Sequence, residues 1–310
     1  MDEHELMLSV KAAFQTLRAT IQPPMRVKVS VRDTSLAPGD AEAMVLLPGF
    51  VSDIPAYTVK VHSKYPQNTK RGEPAIQGVI QLFDSAEGRL QAIIDSPLIT
   101  AHRTAAASAV ATDILAKPAS KRLAVIGAGV QGDMHYEYVK RIRPIEDVVV
   151  FDVRPEAARD FCNRHAQDPV RWSPATNVAD AVRAADIIVT ATWSTEPFLY
   201  PDMVTPGVHI ITLGPDEKGK VEVSQELIET SLLVCDDEQL CRDMGALNTF
   251  TSGSLTPVTL TSLLNGDEVG RKSNDDITIF GSVGLPFQDL VAAWHVYQRA
   301  LDTGLGQRLF

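Results

Sequence analysis

The chain has 310 residues, 45% of them hydrophobic and 22% charged, as expected of an ordinary globular protein of about two domains. Its formal charge of −10 excludes the basic footprint that nucleic acid or an acidic membrane surface requires. Three scattered cysteines make no disulfide framework and fit a reducing cytoplasm, and no apolar run reaches the length of a membrane span.

Leu6, Val10, Phe14 and Leu17 recur at helical spacing, so residues 2–19 predict an amphipathic helix that Pro23-Pro24 stops. The segment RVKVSV, from Arg26 to Val31, alternates as a strand. A polar loop and a return strand, Ala43 to Leu47, follow. AYTVKV, from Ala56 to Val61, predicts a strand with Lys60 opposite to Val59 and Val61. Ile76 to Phe83 and Leu90 to Ile94 flank a hairpin loop at residues 84–89. Strands in succession without helices between them predict an antiparallel or mixed sheet. Thr100 to Ala116 predicts a long alanine-rich helix, and Pro118 marks a domain boundary.

From Leu123 the rhythm becomes strand and helix in alternation. Strands are expected at 186–192, 208–213, 232–236 and 277–280. Helices are expected at 155–165, 178–184, 224–230, 237–244 and 287–301. That pattern predicts an α/β fold with a doubly wound parallel sheet.

The stretch from Lys121 to Asp152 carries the most information. An apolar strand leads into Gly127, Gly129 and Gly132 at G-x-G-x-x-G spacing. A helical pattern follows, then a second strand ending on Asp152. In such a loop the first glycine permits the turn and the second admits a pyrophosphate. The third lets helix and strand pack closely, and the helix N-terminus offers free N–H groups to the phosphates. Asp152 stands where a carboxylate binds the ribose hydroxyls, which selects NAD over NADP. Arg154 close by leaves a 2′-phosphate open as an alternative.

ITAHRTAAASAVAT, the GAGVQG loop, TLGPDEKGKVEV and ITIFGSVGLPFQDLVAA occur in that order. Together they resemble the motifs of the ornithine cyclodeaminase/μ-crystallin family from about Gln22 to Leu301. The resemblance implies a Rossmann domain at 117–286 that binds NAD. It also implies a discontinuous α+β domain, residues 1–116 with 287–310, for substrate binding and homodimer formation. The partner it implies is a small amino or imino acid.

The implied site residues follow residue by residue. Lys60 and Arg103 match cations that hold the substrate carboxylate, and Lys60 with Asp216 matches the catalytic pair. A guanidinium suits that task because it can make two parallel bonds to a carboxylate. Arg26 matches a third cation, but Met25 interrupts the family's proline-proline-arginine pattern, so Arg32 remains a rival. Asp216, beyond the strand ending at Leu213, matches the acid/base aspartate. Val130, Gln131, Thr192, Leu213, Lys220 and Ser282 match cofactor contacts beside the glycines and Asp152, and Val283 matches a substrate contact. Departures at Leu47-Pro48-Gly49, Ala75 and Trp193 leave the substrate open. None of the seven histidines shows metal-ligand spacing.

The expected activity is NAD-dependent conversion of L-ornithine to L-proline and ammonia. The alternatives are a cyclic ketimine reductase, an alanine-type dehydrogenase, or a crystallin-like binding protein without turnover.

Overall fold

The computed structural model describes residues 2–17, 26–30, 43–65, 68, 71–250 and 255–307. The Pro23-Pro24 stop, the loop from Asp33 to Ala41 and Arg32 lie outside them. The chain divides into two compact units, Met1–Arg103 with Leu285–Phe310, and Thr104–Gly284.

The first unit opens with helix α1, Glu3–Thr16. Asp2 caps it, its Oδ1 accepting from the amides of His4 at 2.9 Å and Glu5 at 3.0 Å. Leu6, Val10, Ala13 and Phe14 form its buried stripe. Strands β1 (Val27–Ser30), β2 (Ala43–Gly49), β3 (Ala56–Lys64), β4 (Ile76–Asp84) and β5 (Leu90–Asp95) form one sheet in sequential order. All four neighbouring pairs are antiparallel. At the β4–β5 turn the Asp84 carboxylate accepts from the Ala86 and Glu87 amides, and Gly88 takes φ +70°.

Strand β3 inverts the usual pattern. Ala56, Thr58, Lys60, His62 and Lys64 face inward and are buried, while Val59 and Val61 lie half-buried on the other face. Lys60 therefore lies among polar residues along its own strand face. The period of two held, but hydrophobicity did not mark the inner side, because polar side chains occupy it.

Helix α2, Ser96–Leu115, starts four residues before the expected Thr100. The division between the units falls inside it, after Arg103.

The second unit contains β6 (Arg122–Ile126), α3 (Val130–Ile142), β7 (Asp147–Phe151), α4 (Pro155–Arg164), β8 (Arg171–Pro174), α5 (Val178–Val182) and β9 (Ile187–Thr190). It continues with β10 (His209–Thr212), α6 (Gln225–Glu229), β11 (Leu232–Cys235), α7 (Glu238–Asp243), β12 (Val258–Thr259), α8 (Leu260–Asn265) and β13 (Thr278–Gly281). The eight strands are parallel, in the order β12-β11-β13-β10-β9-β6-β7-β8. The order reverses between β6 and β9, so the sheet is doubly wound, and ligands of such sheets lie outside the carboxyl ends of the strands there. Ile126, Ile188, Ile210 and Ile279 pack in its core. The edge strands β8 and β12 had no visible sequence pattern. One ends on Pro174 and the other has two residues, too few for a period to show.

Helix α9, Pro286–Thr303, returns to the first unit with proline at its first turn, where the missing N–H costs nothing. It packs on α1 and across β2, β3 and β4. Phe14 and Phe287 meet edge to face with centroids 5.0 Å apart. No helix among the described residues is long and apolar enough to cross a membrane.

Candidate functional site

In the first unit Lys60 is fully buried. Its Nζ donates to Thr100 Oγ1 at 2.6 Å and to Asp289 Oδ1 at 3.0 Å. Arg103, on α2, donates from Nε to the same Asp289 oxygen at 3.1 Å and from Nη1 to Gln288 Oε1 at 2.8 Å. The two sequence-predicted cations thus converge on one carboxylate. Sheet, α2 and α9 each supply one part of the cluster.

Burial drives the Lys60 ammonium down from its ordinary value to about 8, with Asp289 opposing and Arg103 reinforcing the fall. Burial also disfavours the Asp289 carboxylate, but the Lys60 and Arg103 charges outweigh it and hold its pKa below the usual range. Arg26 is half-buried at the head of β1 and acts on the charge state of Lys60, which places it near this cluster.

Asp289 and Gln288 escaped the sequence reading although they lie in a quoted motif. The signal was an acid inside the apolar helical run FQDLVAA, because a carboxylate is almost never fully buried unless paired. His62 is also buried in this unit, and burial, reinforced by Lys60 and Arg26, pushes its imidazole down to about 3.

In the second unit the glycine loop joins β6 to α3. Gly127 has φ +106°, and a side chain there would overlap the Ala191 carbonyl. A Cβ on Gly132 would overlap the Gly127 carbonyl, so this glycine sets the close approach of α3 to the turn. A Cβ on Gly129 would meet nothing within 4 Å, and Val130 beside it is exposed. The first turn of α3 therefore presents an open approach, which fits a pyrophosphate. Asp152 Oδ2 accepts from the Ala128 amide at 3.0 Å, and Oδ1 accepts from the Arg154 amide at 2.9 Å. The acid is thus set against the loop, with the Arg154 side chain largely exposed beside it.

Buried Glu222 gathers the carboxyl ends of β9 and β10. It accepts from Thr190 Oγ1, Thr192 N, Thr192 Oγ1, Thr212 Oγ1 and Gly214 N, at 2.6 to 3.0 Å. Leu213 donates its amide to Thr190 O at 3.0 Å. Beyond it, Asp216 Oδ1 accepts from Lys220 Nζ at 2.8 Å, and that ammonium lies 4.2 Å from the Trp193 ring centroid. After β13, Asp236 Oδ2 accepts from Ser282 Oγ and from the amides of Val283 and Gly284. Burial raises the Asp236 pKa, and these hydrogen bonds work against the rise. Glu222 and Asp236 hold backbone that carries the predicted contacts Thr192, Leu213, Ser282 and Val283. Neither stood out in the sequence, since an acid in a turn is common.

His135 is structural. It bonds the Gln131 carbonyl at 2.7 Å and Ser108 Oγ at 2.9 Å, and burial pushes it down to about 4. Among the described residues, Glu137, His165 and Asp168 bring ligand-type atoms within 4.8 Å of one another. Lys140 Nζ already lies on both carboxylates, at 2.8 and 2.9 Å.

The fold and the glycine loop define a dinucleotide-binding α/β protein whose first unit is discontinuous. The chain belongs to the ornithine cyclodeaminase/mu-crystallin family, whose model matches residues 1–304. It is 34% identical over 257 residues to the ketimine reductase mu-crystallin of Mus musculus, covering 80% of each chain. It resembles the solved Δ1-pyrroline-2-carboxylate reductase of Thermococcus litoralis in complex with NADH and L-proline. The TM-score is 0.92 and the identity 30%, over 100% of this chain and 96% of that one. It also resembles a lysine cyclodeaminase solved for its recognition of L-lysine, L-ornithine and L-2,4-diaminobutyric acid. There the TM-score is 0.86 and the identity 26%, over 99% of this chain and 88% of that one.

Proposed function

We propose that the protein is an NAD-dependent enzyme acting at Cα of an amino or imino acid, in the form of an ornithine cyclodeaminase that converts L-ornithine to L-proline and ammonia. The observation that carries the reading is the convergence of Lys60 and Arg103 on one buried carboxylate oxygen. Two cations locked in that way are preorganised for a substrate carboxylate, with Arg26 as a third.

NAD, when bound, would supply the acceptor and donor of a hydride at Cα. Gly127, Gly129, Gly132, Val130 and Gln131 would hold its pyrophosphate, and Asp152 its ribose hydroxyls. Thr192, Leu213, Lys220 and Ser282 would line the remainder. Asp216 takes the proton that the substrate amine must lose, while Lys220 holds its carboxylate in place. Val283 contacts the substrate. In the overall reaction the side-chain nitrogen bonds to Cα, the Cα–N bond to the original amine breaks, and ammonia leaves. The protein acts as a homodimer in the cytoplasm, a compartment that suits its three free, buried cysteines.

A second reading, a reductase of cyclic ketimines that consumes NADH, is supported by the thermococcal relative solved with NADH and L-proline. The test is to supply L-ornithine with a trace of NAD and follow proline, ammonia and NADH. Proline and ammonia in large excess over NAD are expected. Accumulating NADH without proline would overturn the cyclodeaminase form, and NADH-driven reduction of a cyclic imine alone would establish the second reading.

A further inference from the structure

We infer that His62 binds the side-chain nitrogen of the substrate, accepting an N–H from it, and so distinguishes a diamino acid from its monoamino analogue. The inference rests on the amino-acid reading of the Lys60 cluster and adds the group that reads the far end of the molecule.

His62 is 6% exposed, and neither ring nitrogen has a hydrogen-bond partner among the described residues. Its cross-strand neighbours offer it no hydrogen-bonding side chain. Across the sheet it faces Val45 on β2, which is apolar, and Gly78 on β4, which has no side chain. A Cβ on Gly78 would overlap the Val61 carbonyl and the His62 backbone, so β4 packs closely against His62 there and offers its ring no side chain. Lys60, two residues away on the same face, donates to Thr100 and Asp289 and not to the ring. A buried polar group without a partner is costly, and one in a candidate site points to a ligand.

The cluster around it shows which kind of ligand. Thr58 Oγ1, Gln288 Nε2 and Asp289 Oδ2 are also buried without hydrogen bonds among the described residues. The cations Lys60 and Arg103 suit the carboxylate end of an amino acid. The Asp289 oxygen and the imidazole lone pair are acceptors, and they suit an N–H donor. Burial together with the nearby Lys60 and Arg26 charges keeps the imidazole neutral down to about pH 3, so its lone pair is available throughout the working range. Residues two apart on a strand stand about 7 Å apart. That backbone spacing is of the order of an extended ornithine, so in the first-bound complex its carboxylate lies at Lys60 and its terminal nitrogen at His62, before the chain bends to bring that nitrogen to Cα.

The experiment compares L-ornithine with L-norvaline, which lacks only the terminal nitrogen. Calorimetric titration of the NADH-saturated protein gives the ratio of their dissociation constants without any need for turnover. The wild type is expected to prefer ornithine by about tenfold, the worth of one good hydrogen bond. His62→Val should reduce that ratio to about one, while His62→Gln, which keeps an acceptor, should restore part of it. Unchanged NADH affinity and thermal melting show that each variant is folded, and His62→Gln alone decides the matter if His62→Val is not. No preference in the wild type, or the same preference in both variants, overturns the inference. Preferential ornithine binding lost in His62→Val, with no proline formed by the wild type, would instead sink the cyclodeaminase reading and leave the role of His62 standing.

Discussion

Lys60 Nζ lies 3.0 Å from Asp289 Oδ1, and both side chains are fully excluded from solvent. Two hundred and twenty-nine residues separate them, so the pair ties the last helix to the middle of the antiparallel sheet. Charges buried in this way are stable only together. Asp289→Leu leaves Lys60 and Arg103 without their shared acceptor and should destabilise the protein by roughly 3–5 kcal/mol, measured by urea unfolding. A loss below about 1 kcal/mol would show that the pair is not formed in solution.

The same pair sets a pH limit. Lys60 is cationic below about pH 8 and loses its proton above it. Substrate affinity should therefore hold below pH 8 and fall as pH rises through it. Asp289 opposes the effect of burial, so Asp289→Asn should move that limb toward lower pH. The pH profile of kcat/KM for wild type and variant checks both. An unshifted limb would exclude Lys60 as the titrating group.

The glycine loop allows a paired test. Gly129→Ala places its methyl in open space and should melt like the wild type, yet weaken NADH binding at least tenfold by blocking the approach of a phosphate. Gly132→Ala overlaps the Gly127 carbonyl and should cost about 1–3 kcal/mol of stability as well. Fluorescence titration with NADH and thermal melting separate the two effects. Full NADH affinity in Gly129→Ala would remove the loop from the cofactor site.

Acid should weaken the fold early. His62, His135 and His209 are buried, and burial is the main cause of their depressed values, about 3, 4 and 3. Below the ordinary histidine value near pH 6.5 the unfolded chain takes up protons that the folded chain refuses. Stability is therefore full above about pH 6.5 and falls as pH drops from there toward 4. Each fully buried histidine contributes about 1.4 kcal/mol per pH unit. His209→Gln should flatten the slope of unfolding free energy against pH between 6 and 4.5.

Asp216→Asn should lower turnover by roughly 10²–10⁴-fold while leaving NADH affinity unchanged. Equal activity in that variant would take Asp216 out of the mechanism.

Much of this was legible in the sequence. The glycine spacing, the strand before it and Asp152 after it mark a local unit whose parts are contiguous, so pattern suffices. The alternation along β3 correctly set Lys60 apart from Val59 and Val61. It did not reveal that Lys60 faces inward with Thr58, His62 and Lys64, because burial of polar side chains depends on what covers them. Asp289 could be read only as an oddity in an apolar helix until the fold brought it to Lys60. Glu222 and Asp236 act by accepting hydrogen bonds from strand ends and loops, a role that leaves no periodic trace. The insertion of β13, last in sequence, between β10 and β11 is a long-range pairing that local pattern cannot encode.

In the proposed reaction a hydride leaves Cα and comes back to it. L-Ornithine carrying deuterium at Cα, incubated with the protein and a trace of unlabelled NAD, tests it most directly by mass spectrometry of the product. Proline in large excess over NAD, with deuterium retained at Cα, is the expected result. Proline in which that deuterium has been replaced from solvent, or deuterium stranded on NADH without proline, would contradict it.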